Sequence, residues 1–288
     1  MPQPTAAVVV SHYNAWPTDQ LIALLDQMKS VPAGYPFSVR VVVNQAEDKR
    51  LELPERHADV AVYHRENTGY NIGAWEYGWR QEPRADYYLF LQEESILVKP
   101  NWLRAFIRKV DRPKVGVVGE IIGFYNTTWD DINETAAKYQ SDPNTIGFRE
   151  YMTRQGIRYG ELADHLQSLV LCLKRETLEA IGGFRIGISK YEAIACEIGI
   201  SKSVQAVGLT IRQVSLRPFT YIQHPQWEED RLYAHKPSWM IRRILSDYLL
   251  LARFQRLRRA RARRRRGGIP LNPATASPPP TTPQESGR

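Results

Sequence analysis

Over the first hundred residues, apolar positions come in short unbroken runs, and between them the apolar residues fall at helical spacing. The runs at 6–11, 39–43, 60–63 and 87–91 are too short for helices and do not alternate with polar residues, so they predict strands buried on both faces. Residues 18–29 place Leu21, Leu24, Leu25 and Met28 on one side of a helix, with Thr18 or Asp19 at its cap. A second helix is predicted over about 72–79. Strands of this kind separated by helices predict an α/β fold with an open, mostly parallel sheet and helices on both faces. Ligands of such sheets bind beyond the carboxyl ends of the strands. Residues 11–14, 44–47, 64–69 and 92–95 fall there on the strand assignment alone.

From 120 to 167 the pattern weakens. Tyr and Trp are scattered among polar residues, which predicts an insertion beside the active edge, acting as a lid or acceptor element or as a plain surface excursion. Regular structure resumes with a strand at 168–173, a short helix at 175–181, a Gly182-Gly183-Phe184 turn and a helix ending near Gly208. The principal domain is therefore expected over 1–235. Residues 236–266 read as an apolar helix that becomes Arg-rich. Residues 267–288 hold Gly, Pro, Ser and Thr with few apolar anchors and are expected to be a disordered tail.

The net charge of +8 belongs to that C-terminal part. Residues 253–288 carry ten Arg and one Glu, so the rest of the chain is near neutral, at about −1. An apolar helix leading into the arginines from Arg253 to Arg266 suits an anionic membrane surface. Phosphate contact with nucleic acid and a merely solvated tail are the other readings, and nothing marks a specific nucleic-acid partner. The chain has no apolar run near the roughly 20 residues that span a bilayer, and no basic segment precedes the first run. The expected location is cytoplasmic, with peripheral contact at the inner face of the membrane. The two cysteines, Cys172 and Cys196, sit among apolar residues and are expected to be buried thiols.

Four segments carry candidate chemistry. The first is VVVSHYNAWPTDQLIALLDQM after position 7, and the second is RENTGYNIGAWEYGW around Gly69 and Gly73. YYLFLQEESILVKPNWLRAF brings Gln92, Glu93 and Glu94, and LKRETLEAIGGFRIGISKYEAIACEIGISKSVQAVG ends at Gly208. In this order and spacing they resemble the nucleotide-binding domain of family 2 (GT-A fold) glycosyltransferases, over about residues 6–224.

The resemblance implies a nucleotide-diphosphate sugar as donor, a uridine or deoxythymidine diphosphate sugar above all, and a glycan or lipid-linked acceptor. It implies inverting transfer in surface polysaccharide or glycolipid assembly. Glu94 takes the second carboxylate position of the family's Asp-x-Asp. There it would hold a divalent cation, Mn²⁺ or Mg²⁺, with His224 as a further ligand; both ions favour oxygen donors. Glu197 takes the place of the general base, with Glu192 as its competitor. Ser11, Tyr13, Asn44, Asn67, Gly69, Gly73, Gln92 and Glu93 take the donor-binding places, and Asn44 stands where the family has Asp.

Two other readings remain at this point. A degenerate, non-catalytic relative would bind glycan or scaffold a biosynthetic complex. A nucleotidyltransferase would need a Gly-rich phosphate loop with Lys or Arg directly after the first strand. SHYNAWP stands there instead and argues against it.

Overall fold

The computed structural model describes residues 5–46, 48–132 and 145–225. The predicted helix over 236–266, the tail and part of the 120–167 insertion lie outside the described residues.

β1 (Ala6–Tyr13) pairs in parallel with β2 (Ser38–Gln45) on one side and with β4 (Tyr87–Gln92) on the other. β3 (Ala61–Glu66) extends the parallel set beyond β2. On the far side, β9 (Val170–Lys174) runs antiparallel to both β4 and β6 (Val115–Gly119), and β10 (Thr210–Gln213) is parallel to β6. The seven-stranded order is β10-β6-β9-β4-β1-β2-β3. The sheet is mostly parallel, as the unbroken apolar runs predict. The reversal at β9 is not visible in sequence, because a strand buried on both faces reads the same in either direction.

Helices cover both faces. Val8, Val10, Val41, Val43, Leu89 and Leu91 point to α1 (Asp19–Ser30) and α3 (Trp102–Val110), where they meet Leu21, Leu25 and Phe106. Val9, Val42 and Phe90 point the other way, to Trp75 and Trp79 of α2 (Tyr70–Trp79) and Ile198 of α6 (Lys190–Ala206). Adjacent strand residues thus serve opposite cores, which is why the strands are apolar throughout.

The described part of the insertion is not a loose excursion. α4 (Thr145–Arg154) and Trp129 bury Phe148, Tyr151, Met152 and the indole in the same core as α6. The buried Lys202 of α6 donates to the carbonyls of Leu162 and Asp164 at 2.8 and 2.6 Å. A short antiparallel pair of β7 (Ile122–Gly123) and β8 (His165–Leu166) joins the two ends of the segment. α5 (Arg175–Ala180) follows β9.

Cys172 and Cys196 are free and buried, and burial pushes both thiols above the ordinary value. Among the described residues, no helix is long and apolar enough to cross a membrane.

Candidate functional site

After β1 the chain builds β2 and β3 to one side, then returns to place β4 on the other. The crevice beyond the carboxyl ends of β1 and β4 is the switch point where α/β sheets bind ligands. Parallel register sets Ser11 beside Gln92 and Tyr13 beside Asn44. A cavity of about 330 Å³ opens there. Ser11, Tyr13, Asn44, Asn67, Gln92, Glu93 and Glu94 line it, and three of the four quoted segments meet in its walls. His12, Trp16, Tyr70 and Asn71 complete the lining.

The lining groups differ in what they have left to offer a ligand. Glu93 is turned inward: one oxygen takes the His12 Nδ1 contact and the other accepts from the Tyr13 amide at 3.2 Å. Asn44 braces the loop before α2, donating to the Tyr70 carbonyl at 2.9 Å and accepting from Arg65 at 2.6 Å. Ser11 is buried and donates to the Leu91 carbonyl at 3.4 Å. Trp16 and Tyr70, by contrast, remain 51% and 42% exposed, and so present aromatic surface to a guest.

Gly69 adopts φ +78°, a left-handed conformation that favours glycine, and a Cβ there would lie 2.1 Å from Ile186 Cγ2. A Cβ on Gly73 would lie 2.0 Å from the Thr68 carbonyl oxygen. The space these glycines leave is filled by protein atoms, so they shape the start of α2 from behind the cavity. Tyr70 follows Gly69 with φ +54°, an uncommon conformation for an aromatic residue, and it fixes the ring at the cavity wall.

At the rim, Glu94 Oε2 lies 3.5 Å from His224 Nε2. Burial alone would raise the Glu94 carboxyl. Hydrogen bonding and charge from His224, its own backbone and the more distant His12 outweigh burial and hold it below the ordinary value. His224 is carried there by β11 (Ile222–Gln223), which pairs antiparallel with β5 (Ile96–Leu97).

A residue that sequence reasoning missed fixes that loop. Glu120 is buried at the end of β6, and its carboxylate accepts from the amides of Thr220, Tyr221 and Ile222 at 3.0, 3.0 and 2.8 Å. Burial pushes its pKa up to about 7, against the lowering effect of those backbone donors.

Glu197 lies outside the cavity lining and about two turns inside α6, away from the helix start. The start belongs to Glu192, which forms a capping box with Ser189. Glu197 Oε2 accepts from the Ser168 hydroxyl at 2.7 Å, and Oε1 is 3.9 Å from His165 Nε2. His165 Nδ1 lies 3.0 Å from the Ala163 carbonyl oxygen, which can only accept. Nδ1 therefore carries the proton, and in the neutral ring Nε2 turns its lone pair toward Glu197. Ser168 also faces the cavity wall: its carbonyl accepts from Gln92 at 2.9 Å and from Asn71 at 3.0 Å. Neither Ser168 nor His165 stands in a motif that could have flagged it.

The donor set at the rim suits a hard divalent cation. Two ligands bound at about 2.0–2.2 Å in neighbouring octahedral positions lie roughly 3 Å apart. The carboxylate oxygen of Glu94 and the imidazole nitrogen of His224 come near that separation. Among the described residues there is no cluster of three or more His, Cys, Asp or Glu that could hold a metal by itself, so remaining ligands would come from a bound anion and water.

No protein-family profile and no curated protein matches the sequence. Solved structures similar to this chain include a mannosyltransferase from Pyrobaculum calidifontis in complex with GDP-Man and Mn²⁺. It has 17% identity and a TM-score of 0.47, with 73% of this chain and 54% of that one covered. A glucosyl-3-phosphoglycerate synthase from Mycobacterium tuberculosis, in complex with Mn²⁺, UDP and phosphoglyceric acid, has 16% identity and a TM-score of 0.48 over 87% and 78% of the two chains. GalNAc-T7 with UDP, GalNAc and Mn²⁺ has 12% identity and a TM-score of 0.47 over 77% and 43%. This chain spans about half the length of the mannosyltransferase.

Proposed function

We propose that the protein is a glycosyltransferase that moves a sugar from a nucleotide-diphosphate donor to a hydroxyl of a glycan or lipid-linked acceptor, with inversion. The observation that supports it best is the meeting of Glu94, His224, Gln92 and the 11–13 segment around one cavity at the sheet's switch point, with Glu197 attached to its wall through Ser168.

The nucleoside lies in the cavity, with Trp16 and Tyr70 offering faces on which a base stacks. Asn67 and the backbone near it offer polar contacts, while Asn44, Gly69 and Gly73 hold the wall in shape. Glu94 and His224 would hold the divalent cation, which supplies charge to neutralise the diphosphate. Glu197 receives the acceptor hydroxyl's proton as the acceptor oxygen bonds to the anomeric carbon and the bond to diphosphate breaks. This single displacement needs no protein nucleophile. The acceptor approaches over α6 and the insertion, since Glu197 lies on that side. Surface polysaccharide or glycolipid assembly and contact of the Arg253–Arg266 tail with an anionic membrane extend the same reading. Flotation of the full chain and of a 1–252 truncation with anionic vesicles tests the tail, and equal flotation removes it.

Calorimetric titration with UDP, GDP and dTDP, with and without Mn²⁺, is the direct test. Micromolar, metal-dependent binding of one nucleotide is expected. Folded protein that binds none of the three would sink this reading and favour the non-catalytic one.

A further inference from the structure

Ser168 has three polar partners that belong to two different parts of the site. Its carbonyl accepts from Gln92 and Asn71, both in the cavity wall, and its hydroxyl donates to Glu197 on α6. The residue is buried, so water does not compete strongly for these bonds. Gln92 ends β4, Asn71 opens α2 and Ser168 comes just before the reversed strand β9. One residue therefore joins the strand that carries Gln92 to the helix that carries Glu197.

We propose that Ser168 is a positioning residue that sets the Glu197 carboxylate in register with the donor cavity; this rests on the glycosyltransferase reading above. The hydroxyl holds Oε2 and limits rotation of the carboxylate, leaving Oε1 of this partly exposed side chain to take the acceptor proton. His165 flanks Oε1 with a lone pair, not a hydrogen, so it does not compete for that oxygen. Position within a fraction of an ångström matters for proton transfer, and a carboxylate free to swing loses part of its rate advantage.

The division of labour within Ser168 makes the proposal testable. Ser168→Ala deletes the hydroxyl and keeps the carbonyl, so the contacts of Gln92 and Asn71 to the carbonyl survive and only the longer 3.5 Å contact from Asn71 to the hydroxyl is lost with the Glu197 bond. Steady-state transfer would be measured with the full chain, the nucleotide sugar selected by the calorimetric titration and its acceptor. Thermal melts would check that each variant folds. Ser168→Ala is expected to lower kcat about 10- to 100-fold while the donor KM stays within about twofold. Ser168→Thr, which restores a hydroxyl, should recover most of the rate. In a Glu197→Gln background Ser168→Ala should cost nothing further, because the group it positions is gone.

A folded Ser168→Ala enzyme with wild-type kcat overturns the proposal and leaves the transferase reading standing. So does a donor KM that rises in step with the loss of rate, since that would mark damage to the cavity. A wild-type protein with no transfer from any of the three nucleotide-sugar classes overturns the transferase reading itself, and the positioning role falls with it.

Discussion

His224 Nε2 stands 3.5 Å from Glu94 Oε2 at the rim of the cavity, because the antiparallel pairing of β5 with β11 brings the residues before one strand and after the other to the same end of the ribbon. Neither side chain could hold a divalent cation strongly alone. Glu94→Gln or His224→Ala is expected to weaken Mn²⁺-dependent nucleotide binding by about 10- to 100-fold. Metal-free nucleotide affinity should hardly change. Paired titrations with Mn²⁺ and with chelator separate the two terms, and equal weakening in both would remove the metal role.

Glu120 predicts a pH dependence of stability. Its folded-state pKa of about 7 lies above the ordinary value of 4.5, so between these pH values the folded chain binds a proton that the unfolded chain has released. The contribution is fully present below about 4.5 and is lost as pH rises through about 7, a change on the order of 3 kcal/mol. Glu120→Gln removes that titration and leaves one amide of the 220–222 segment facing an NH₂ group, at a cost of about 1–3 kcal/mol. Urea unfolding at several pH values between 4.5 and 7.5 should show a falling wild-type stability relative to the variant. Parallel curves would mean that Glu120 does not titrate in this range.

His165 reports on Glu197 without any need for turnover. Burial holds the ring below the ordinary value; Glu197, the Ala163 carbonyl and Asp164 push it up, and Lys202 pushes it down. Glu197→Gln deletes the largest upward influence, so the His165 midpoint should drop further. An NMR titration of histidine-labelled protein reads this directly, and its ring nitrogen shifts should also show the Nδ1–H tautomer. A midpoint unmoved by Glu197→Gln would contradict the facing geometry.

Gly73→Ala should destabilise the protein by about 1–3 kcal/mol, because its Cβ would come 2.0 Å from the Thr68 carbonyl oxygen and neither backbone can yield easily. Thermal melts measure this loss. Gly69→Ala adds a strained left-handed alanine and a collision with Ile186, so it should also disturb the cavity wall that Tyr70 forms.

The parts of this site that could be read in the sequence are those fixed by local pattern. Strand ends follow from apolar runs, and Ser11, Asn44 and Gln92 follow from strand ends. What could not be read depends on long-range contacts. Val115–Gly119 is short and rich in glycine, and becomes an interior strand only because β9 and β10 flank it. Glu120 looks like any polar residue until the amides of 220–222 arrive a hundred residues later. Glu197 was legible as an acid on a helix, but its depth within α6 was hidden because the helix begins at the Ser189 cap, well before Glu197. Ser168 carries no signal of its own, since a serine before a strand is commonplace.

The continuous burial of Val170, Leu171, Cys172 and Leu173 has a consequence for how β9 chooses its alignment. An alternating strand is locked in place because a slip of one residue would expose its apolar set. β9 lacks that safeguard: slid by one residue, it would still present apolar side chains to both cores. The discrimination then falls to the polar groups just ahead of it, where Gln92 and Asn71 grip the Ser168 carbonyl. A displaced strand would break that grip and leave two half-buried amide groups without this acceptor. The contacts that align the chemistry therefore also select the correct folded sheet from its near neighbours, so the sequence cannot drift toward a misaligned sheet without losing the site as well.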